Sequence, residues 1–176
     1  EVDENILVAL HFTNPEKGTY SGYAKSLDDN EVDYDVFASS YYPYWHGSLS
    51  NLSTQLKKIA TDYGKKVIVA ETSYAWTLED GDGHENSVRE GVNDTGDNLL
   101  YPFNVNGQAK WVRDVVDTVN STTNGIGVFY WEAAWIPVEN INNAESDEDK
   151  ESIIASNKEK WEKYGSGWAS SYSASY

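Results

Sequence analysis

Four short apolar runs recur along this chain, and the stretches between them carry helical patterns. The runs are "ILVALHF" (6–12), "DVFASSY" (35–41), "KVIVAE" (66–71) and "IGVFYWE" (126–132). In "VIVAETSYAW" (67–76), Val67, Ile68, Val69 and Ala70 lead straight into Glu71. A run this apolar reads as a strand buried on both faces, as in a parallel sheet. A buried strand rarely finishes in a carboxylate without reason, because a charge in a dry place is costly.

The intervening segments decide the architecture. In "SLSNLSTQLKKIATDYG", Leu49, Leu52, Leu56, Ile59 and Tyr63 recur at helical spacing, and Gly64 supplies a stop. In "GQAKWVRDVVDTVN", Ala109, Val112, Val115, Val116 and Val119 do the same. A shorter helix is expected over about Tyr20 to Asp29, and another should end at Gly165. Strands alternating with helices predict parallel βα units in an α/β fold. Doubly wound sheets and (β/α)8 barrels both place their sites at the carboxyl ends of the strands. The acidic, turn-rich stretch 77–106 is a loop of the size that is either functional or disordered.

Composition narrows the partners. The net charge is −16 over 176 residues, a field that repels nucleic acid phosphates and anionic membranes. No stretch is long and apolar enough to span a membrane as a helix. No glycine-rich phosphate loop follows a strand, so nucleotide binding lacks its signature. Cysteine is absent, which excludes disulfides and thiolate-held metal. Aromatics make up 14%, with seven Trp and thirteen Tyr; they either fill a core or stack on the flat faces of sugars.

Two glutamates end strands, Glu71 and Glu132. Glycoside hydrolysis needs two carboxyl groups, so the pair raises a carbohydrate-active reading. His11, Tyr41, Tyr42, His46 and Tyr74 lie at or near strand ends and offer hydrogen bonds, while Trp45, Trp76, Trp131 and Trp135 offer flat faces. In "DGDGHEN", Asp80, Asp82, His84 and Asn86 occupy alternate positions. That pattern serves either an oxygen-ligated hard cation or an acidic surface turn, and it is not an EF-hand.

The motifs "VALHFTNP", "DYDVFASSYYPYWHG", "GKKVIVAETSYAW", "EDGDGHEN", "GIGVFYWEAAWIPV" and "YGSGWA" together resemble arabinogalactan endo-β-1,4-galactanases, glycoside hydrolase family 53. The likeness runs over nearly the whole chain. It implies a (β/α)8 TIM barrel of the retaining glycosidase clan, in which a glutamate ending the seventh strand is the nucleophile; "VIVAETSY" matches that segment and assigns the role to Glu71. The four strands would then be the fifth to the eighth, and residues 1–176 the C-terminal part of a single catalytic domain. The clan's acid/base glutamate ends the fourth strand, and no residue here matches it.

The resemblance implies further roles. Tyr41 or Tyr42 would hydrogen-bond Glu71. His11 would line the cleft, and Trp45 and His46 would shape sugar subsites. Trp131 would contact sugar, with Glu132 as a hydrogen-bonding or structural carboxylate. Calcium would occupy the loop of Asp80, Asp82, His84 and Asn86. The substrate would be β-1,4-galactan or arabinogalactan of pectin, and the enzyme secreted. With the N-terminal half of the barrel missing, the chain alone is expected to be inactive and to associate. Val8, Leu10, Phe37 and Val69 are candidates for the barrel's inner face. Two alternatives stand beside this reading: another retaining barrel β-glycanase, and a non-catalytic carbohydrate-binding protein.

Overall fold

A computed structural model describes residues 3, 5–89, 101–131 and 139–165 of the chain. The elements follow the order β1 (Ala9–Phe12), α1 (Tyr20–Asp29), β2 (Val36–Ser40), α2 (Leu49–Tyr63), β3 (Lys66–Thr72), α3 (Val105–Asn120), β4 (Gly125–Tyr130) and α4 (Asp147–Tyr164), with 3₁₀ turns at Pro15–Lys17 and Ile141–Asn143. The four strands form one parallel sheet in sequential order. The described residues divide into two compact units. One contains all four strands, α1, α2 and α3 from Lys110 onward; the other contains 74–89, 101–109 and 139–165.

In the sheet unit, β2 is buried along its whole length, and β3 is buried from Val67 to Val69. β1 alternates between exposed and half-buried, and no residue of β4 is fully buried, as suits the two outer strands. The expected strand at 6–12 begins only at Ala9, where pairing with Val36 starts; Ile6, Leu7 and Val8 are exposed. Phe37 stacks on Phe12 at 4.5 Å and meets Tyr20 of α1 at 5.0 Å. Ser39, two residues on, meets the Tyr20 hydroxyl at 2.6 Å. The row of Phe37 and Val69 therefore faces the helical side. The opposite face is the small cluster of Val36, Ala38 and Ile68, with Ala70 packed against it. This corrects the expectation for Phe37 and Val69, and for Leu10, which pairs in register with Phe37 and shares its face. Alternation fixes which residues share a face, but only packing partners say which face is which.

Helix α2 buries Leu52, Leu56, Ile59 and Ala60. It is capped by Ser48, whose side chain accepts from the Asn51 amide at 3.2 Å, and it stops at Gly64 with φ +66°. That left-handed turn is open to glycine without a Cβ penalty. Helix α3 turns only part of its predicted stripe inward, and Trp111 completes it. Trp111, Val115 and Val119 are buried, whereas Val116 is 44% exposed. The cause is Trp111, which stacks on Tyr41 at 5.5 Å. Burying an indole removes more apolar surface from water than a valine can.

In the second unit, Tyr74 donates to the Tyr101 carbonyl at 2.6 Å and stacks on Phe103 at 5.5 Å. Helix α4 begins at an N-cap, Ser146, that accepts from the Asp149 amide, and three acids occupy its first turn. They sit where the helix dipole favours negative charge. Among the described residues, no helix is long and apolar enough to cross a membrane.

Candidate active site

The side chain of Glu71 reaches the site because of an irregularity in the sheet. β2 and β3 pair as Phe37 with Val67, Ala38 with Ile68 and Ser39 with Val69, but Ser40 pairs with Glu71. One extra residue, Ala70, is accommodated in β3. Such a shift re-aims the side chains after it. Glu71 therefore shares a row with Ser40 rather than with the helical-side residues that strict alternation from Val69 would give.

The row then continues onto β1. His11 pairs in register with Ala38, and its Nε2 lies 2.9 Å from Ser40 Oγ. Its Nδ1 lies 3.9 Å from Glu71 Oε1. The Tyr42 hydroxyl donates to Glu71 Oε2 at 3.2 Å. The carboxylate is about one-quarter exposed, with a side-chain exposure of 26%. Glu71 thus stands at the carboxyl end of the sheet with a tyrosine on one oxygen and a histidine near the other, reachable from solvent. That arrangement suits a carboxylate held in one rotamer for attack or proton transfer.

The two tyrosines expected to compete for Glu71 are separated by the structure. Tyr42 makes the contact. Tyr41 is buried, and its hydroxyl donates to the Gly47 carbonyl at 2.7 Å. Its backbone amide, not its phenol, meets Glu71, donating to the carbonyl at 2.7 Å. Trp45 is 44% exposed and lies tilted against Tyr42 at 5.6 Å. His46, in contrast, is buried. Its Nδ1 accepts from the Tyr42 amide at 3.1 Å and its Nε2 lies 3.5 Å from Thr13 Oγ1. Burial holds its ring below the usual histidine pKa, outweighing the opposing pull of Glu16 and Glu71. Trp131 is half-buried at the end of β4, its amide donating to the Thr72 carbonyl at 2.8 Å. Glu132 and Trp135 lie outside the described residues. Among the described residues that end the four strands, Glu71 is the one carboxylate.

Ser40 and Thr13, at the ends of β2 and β1, meet the histidines at 2.9 and 3.5 Å and are not among the residues predicted from sequence; hydroxyls ending strands beside a histidine are the signal that could have found them.

The "DGDGHEN" loop belongs to the second unit. Asp82 and Asn86 are buried there, Asp80 is half-buried and His84 exposed. Asp80 Oδ1 accepts from the amides of Asp82 and Gly83 at 3.0 and 2.9 Å, and Asp82 Oδ1 accepts from the His84 amide at 2.9 Å. The His84 ring stands edge-on to Trp161 at 5.8 Å. Asn157 of α4 donates through Nδ2 to the carbonyls of Asp82 and Glu139 at 3.3 and 2.8 Å. Among the described residues, no three His, Cys, Asp or Glu side chains gather to hold a metal ion. The oxygen donors of Asp80, Asp82 and Asn86, with main-chain carbonyls, are nonetheless the chemistry a hard cation takes.

Comparison with known proteins gives one consistent answer. The family model described as "Glycosyl hydrolase family 53" matches residues 1–174. An endo-beta-1,4-galactanase of Bacillus subtilis (strain 168) is 57% identical over 178 aligned positions, covering 100% of this chain and 38% of the relative. An arabinogalactan endo-beta-1,4-galactanase of Cellvibrio japonicus (strain Ueda107) is 33% identical, covering 74% of this chain and 34% of the relative. Among solved structures, the GH53 catalytic domain of Ignisphaera aggregans superposes with a TM-score of 0.68 at 34% identity, over 77% of this chain and 38% of the other. The chain thus spans little more than a third of the length of these relatives.

Proposed function

The chain belongs to glycosyl hydrolase family 53, and from that premise we propose that the full polypeptide carrying it is an endo-β-1,4-galactanase acting on (arabino)galactan side chains of pectin with retention. The observation that carries the reading is Glu71 at the carboxyl end of β3, gripped by Tyr42 and flanked by His11. Glu71 acts as the nucleophile: one Oε attacks the anomeric carbon as the bond to the leaving oxygen breaks, and water later releases the glycosyl group. Tyr42 holds the attacking carboxylate in line. Trp45 offers an exposed flat face beside it for a sugar ring, and Trp131 at the end of β4 offers another.

Retention requires a second carboxyl about 5–5.5 Å from the nucleophile to protonate the leaving group. We assign that acid to a part of the barrel beyond these four strands, which would be its fifth to eighth. The exposed edges of β1 and β4 support this. Residues 1–176 alone should then be inactive. Calcium in the loop of Asp80, Asp82 and Asn86 would tie two carboxylates and a carboxamide oxygen together and stiffen it. The net charge of −16 and the galactanase activity of the relatives favour a neutral galactan as the partner, and we place the enzyme outside the cell.

The test is Glu71→Gln in the full polypeptide, assayed on galactan, with wild type followed by NMR for the first-formed anomer. Turnover should vanish while galactan binding persists, and the wild-type product should emerge as the β-anomer. Undiminished turnover in the variant would sink the assignment. Greater activity on another β-glycan than on galactan would move the enzyme to a different retaining glycanase.

A further inference from the structure

His46 sits beside the carboxylate but faces away from solvent, with 6% of its surface exposed. Three of its contacts converge on Tyr42. The ring Nδ1 accepts the backbone N–H of Tyr42. Its own backbone N–H donates to the Tyr42 carbonyl at 2.9 Å. The two rings lie 5.8 Å apart, tilted at 59°. Both main-chain polar groups of Tyr42 are therefore held by one histidine, while the Tyr42 phenol donates to Glu71.

We propose that His46 is a positioning residue for the nucleophile, acting through Tyr42, and that it works as the neutral Nε2-protonated tautomer. The assignment deepens the reading of Glu71 as nucleophile and rests on it. The tautomer follows from donor chemistry: a backbone N–H can only donate, so the nitrogen that receives it carries no proton. Nε2–H then points to Thr13 Oγ1, which follows β1. The histidine thereby ties the turn after β2 to the turn after β1 and fixes the Cα of Tyr42. A phenol anchored at Cα and bonded at its oxygen has little freedom left, and the carboxylate it holds shares that restriction. Charged groups around the ring are Glu16, Glu71 and Lys17. A protonated Nδ1 would lose the Tyr42 amide and release the turn.

The role is distinct from binding sugar, because a buried ring whose Nδ1 accepts the Tyr42 amide is not presented to substrate. Loss of His46 should therefore appear in kcat and not in KM. In the full polypeptide, His46→Leu should lower kcat roughly ten- to hundredfold, since small misplacements of a reacting group cost that much. KM should stay within about twofold. His46→Asn, whose Oδ1 replaces Nδ1 as acceptor, should recover most of the loss. In a Tyr42→Phe background, His46→Leu should add little, because the route to Glu71 is already cut. In wild type, ¹⁵N NMR should find His46 Nδ1 unprotonated and Nε2 protonated at neutral pH.

A raised KM with kcat kept, full additivity with Tyr42→Phe, or a protonated Nδ1 would each overturn the proposal. Should His46→Leu fail to fold, the Asn variant and the tautomer decide it. Failure of the nucleophile reading is visible separately, as undiminished turnover in Glu71→Gln. The tautomer would be unaffected by that result.

Discussion

The hydroxyl of Tyr42 donates to Oε2 of Glu71 at 3.2 Å, across 29 positions of sequence. The contact joins the turn after β2 to the end of β3, so it exists only once the two strands are paired. A hydrogen bond to a charged acceptor is worth about 1.5–3 kcal/mol. Tyr42→Phe should therefore lower kcat on galactan by about ten- to a hundredfold, with KM little changed. Steady-state kinetics on galactan would check it. Tyr41→Phe should act differently. It removes a buried bond to the Gly47 carbonyl, so the expected loss is about 1 kcal/mol of stability, read by denaturant titration, with kcat largely kept.

Acidification should weaken the fold through His46. Burial lowers its folded-state pKa below the ordinary value of 6.5. The unfolded chain then binds the proton more readily than the folded one. The stability contributed is fully present above the unfolded pKa and is lost as pH falls from there through the folded value. Denaturant midpoints taken downward from pH 7.5 should fall, and the part due to this ring should vanish in His46→Asn. A variant with an unchanged pH dependence would show that the ring does not carry the effect.

Gly83→Ala should damage the "DGDGHEN" loop. Gly83 has φ +83°, and a Cβ there would lie 2.4 Å from Ile154 Cγ1. Conformational strain and overlap with α4 add together. The expected cost is about 1–3 kcal/mol, visible as a lowered melting temperature. Trimming Ile154 to Ala in the same protein should return only the steric part.

Calcium should raise the melting temperature, and a chelator should lower it, because a ligand that binds only the folded form stabilises by mass action. Asn157→Leu should reduce both the calcium affinity and the metal-free stability. It leaves the carbonyls of Asp82 and Glu139 without the donor that now holds them, a loss of about 1–3 kcal/mol for buried groups. Isothermal titration gives the affinity, and hydrogen exchange of residues 81–86 in chelator gives the anchoring. An absence of calcium binding in wild type would remove the metal but leave the exchange result to stand alone.

Sequence by itself determined the βα rhythm. The four apolar runs became four parallel strands, and α1, α2 and α4 fell where periodicity and the glycines at 64 and 165 put them. These signals are local: spacing, capping and chain stops act within a few residues. It also marked Glu71 as anomalous, since a carboxylate at the end of a buried run is visible without knowing its neighbours. Only the tertiary structure decided which tyrosine meets Glu71, because Tyr41 and Tyr42 differ in sequence by one step and in space by which face they take. It decided that Trp111 joins Val115 and Val119 in anchoring α3 while Val116 turns outward, since the aromatic partner Tyr41, just after β2, lies across the chain from the helix. It decided that His46 faces inward to Tyr42. Above all it decided the shift between Ser39 and Ser40 that turns Glu71 toward His11. A register shift belongs to a pair of strands, and neither strand's residues record it alone.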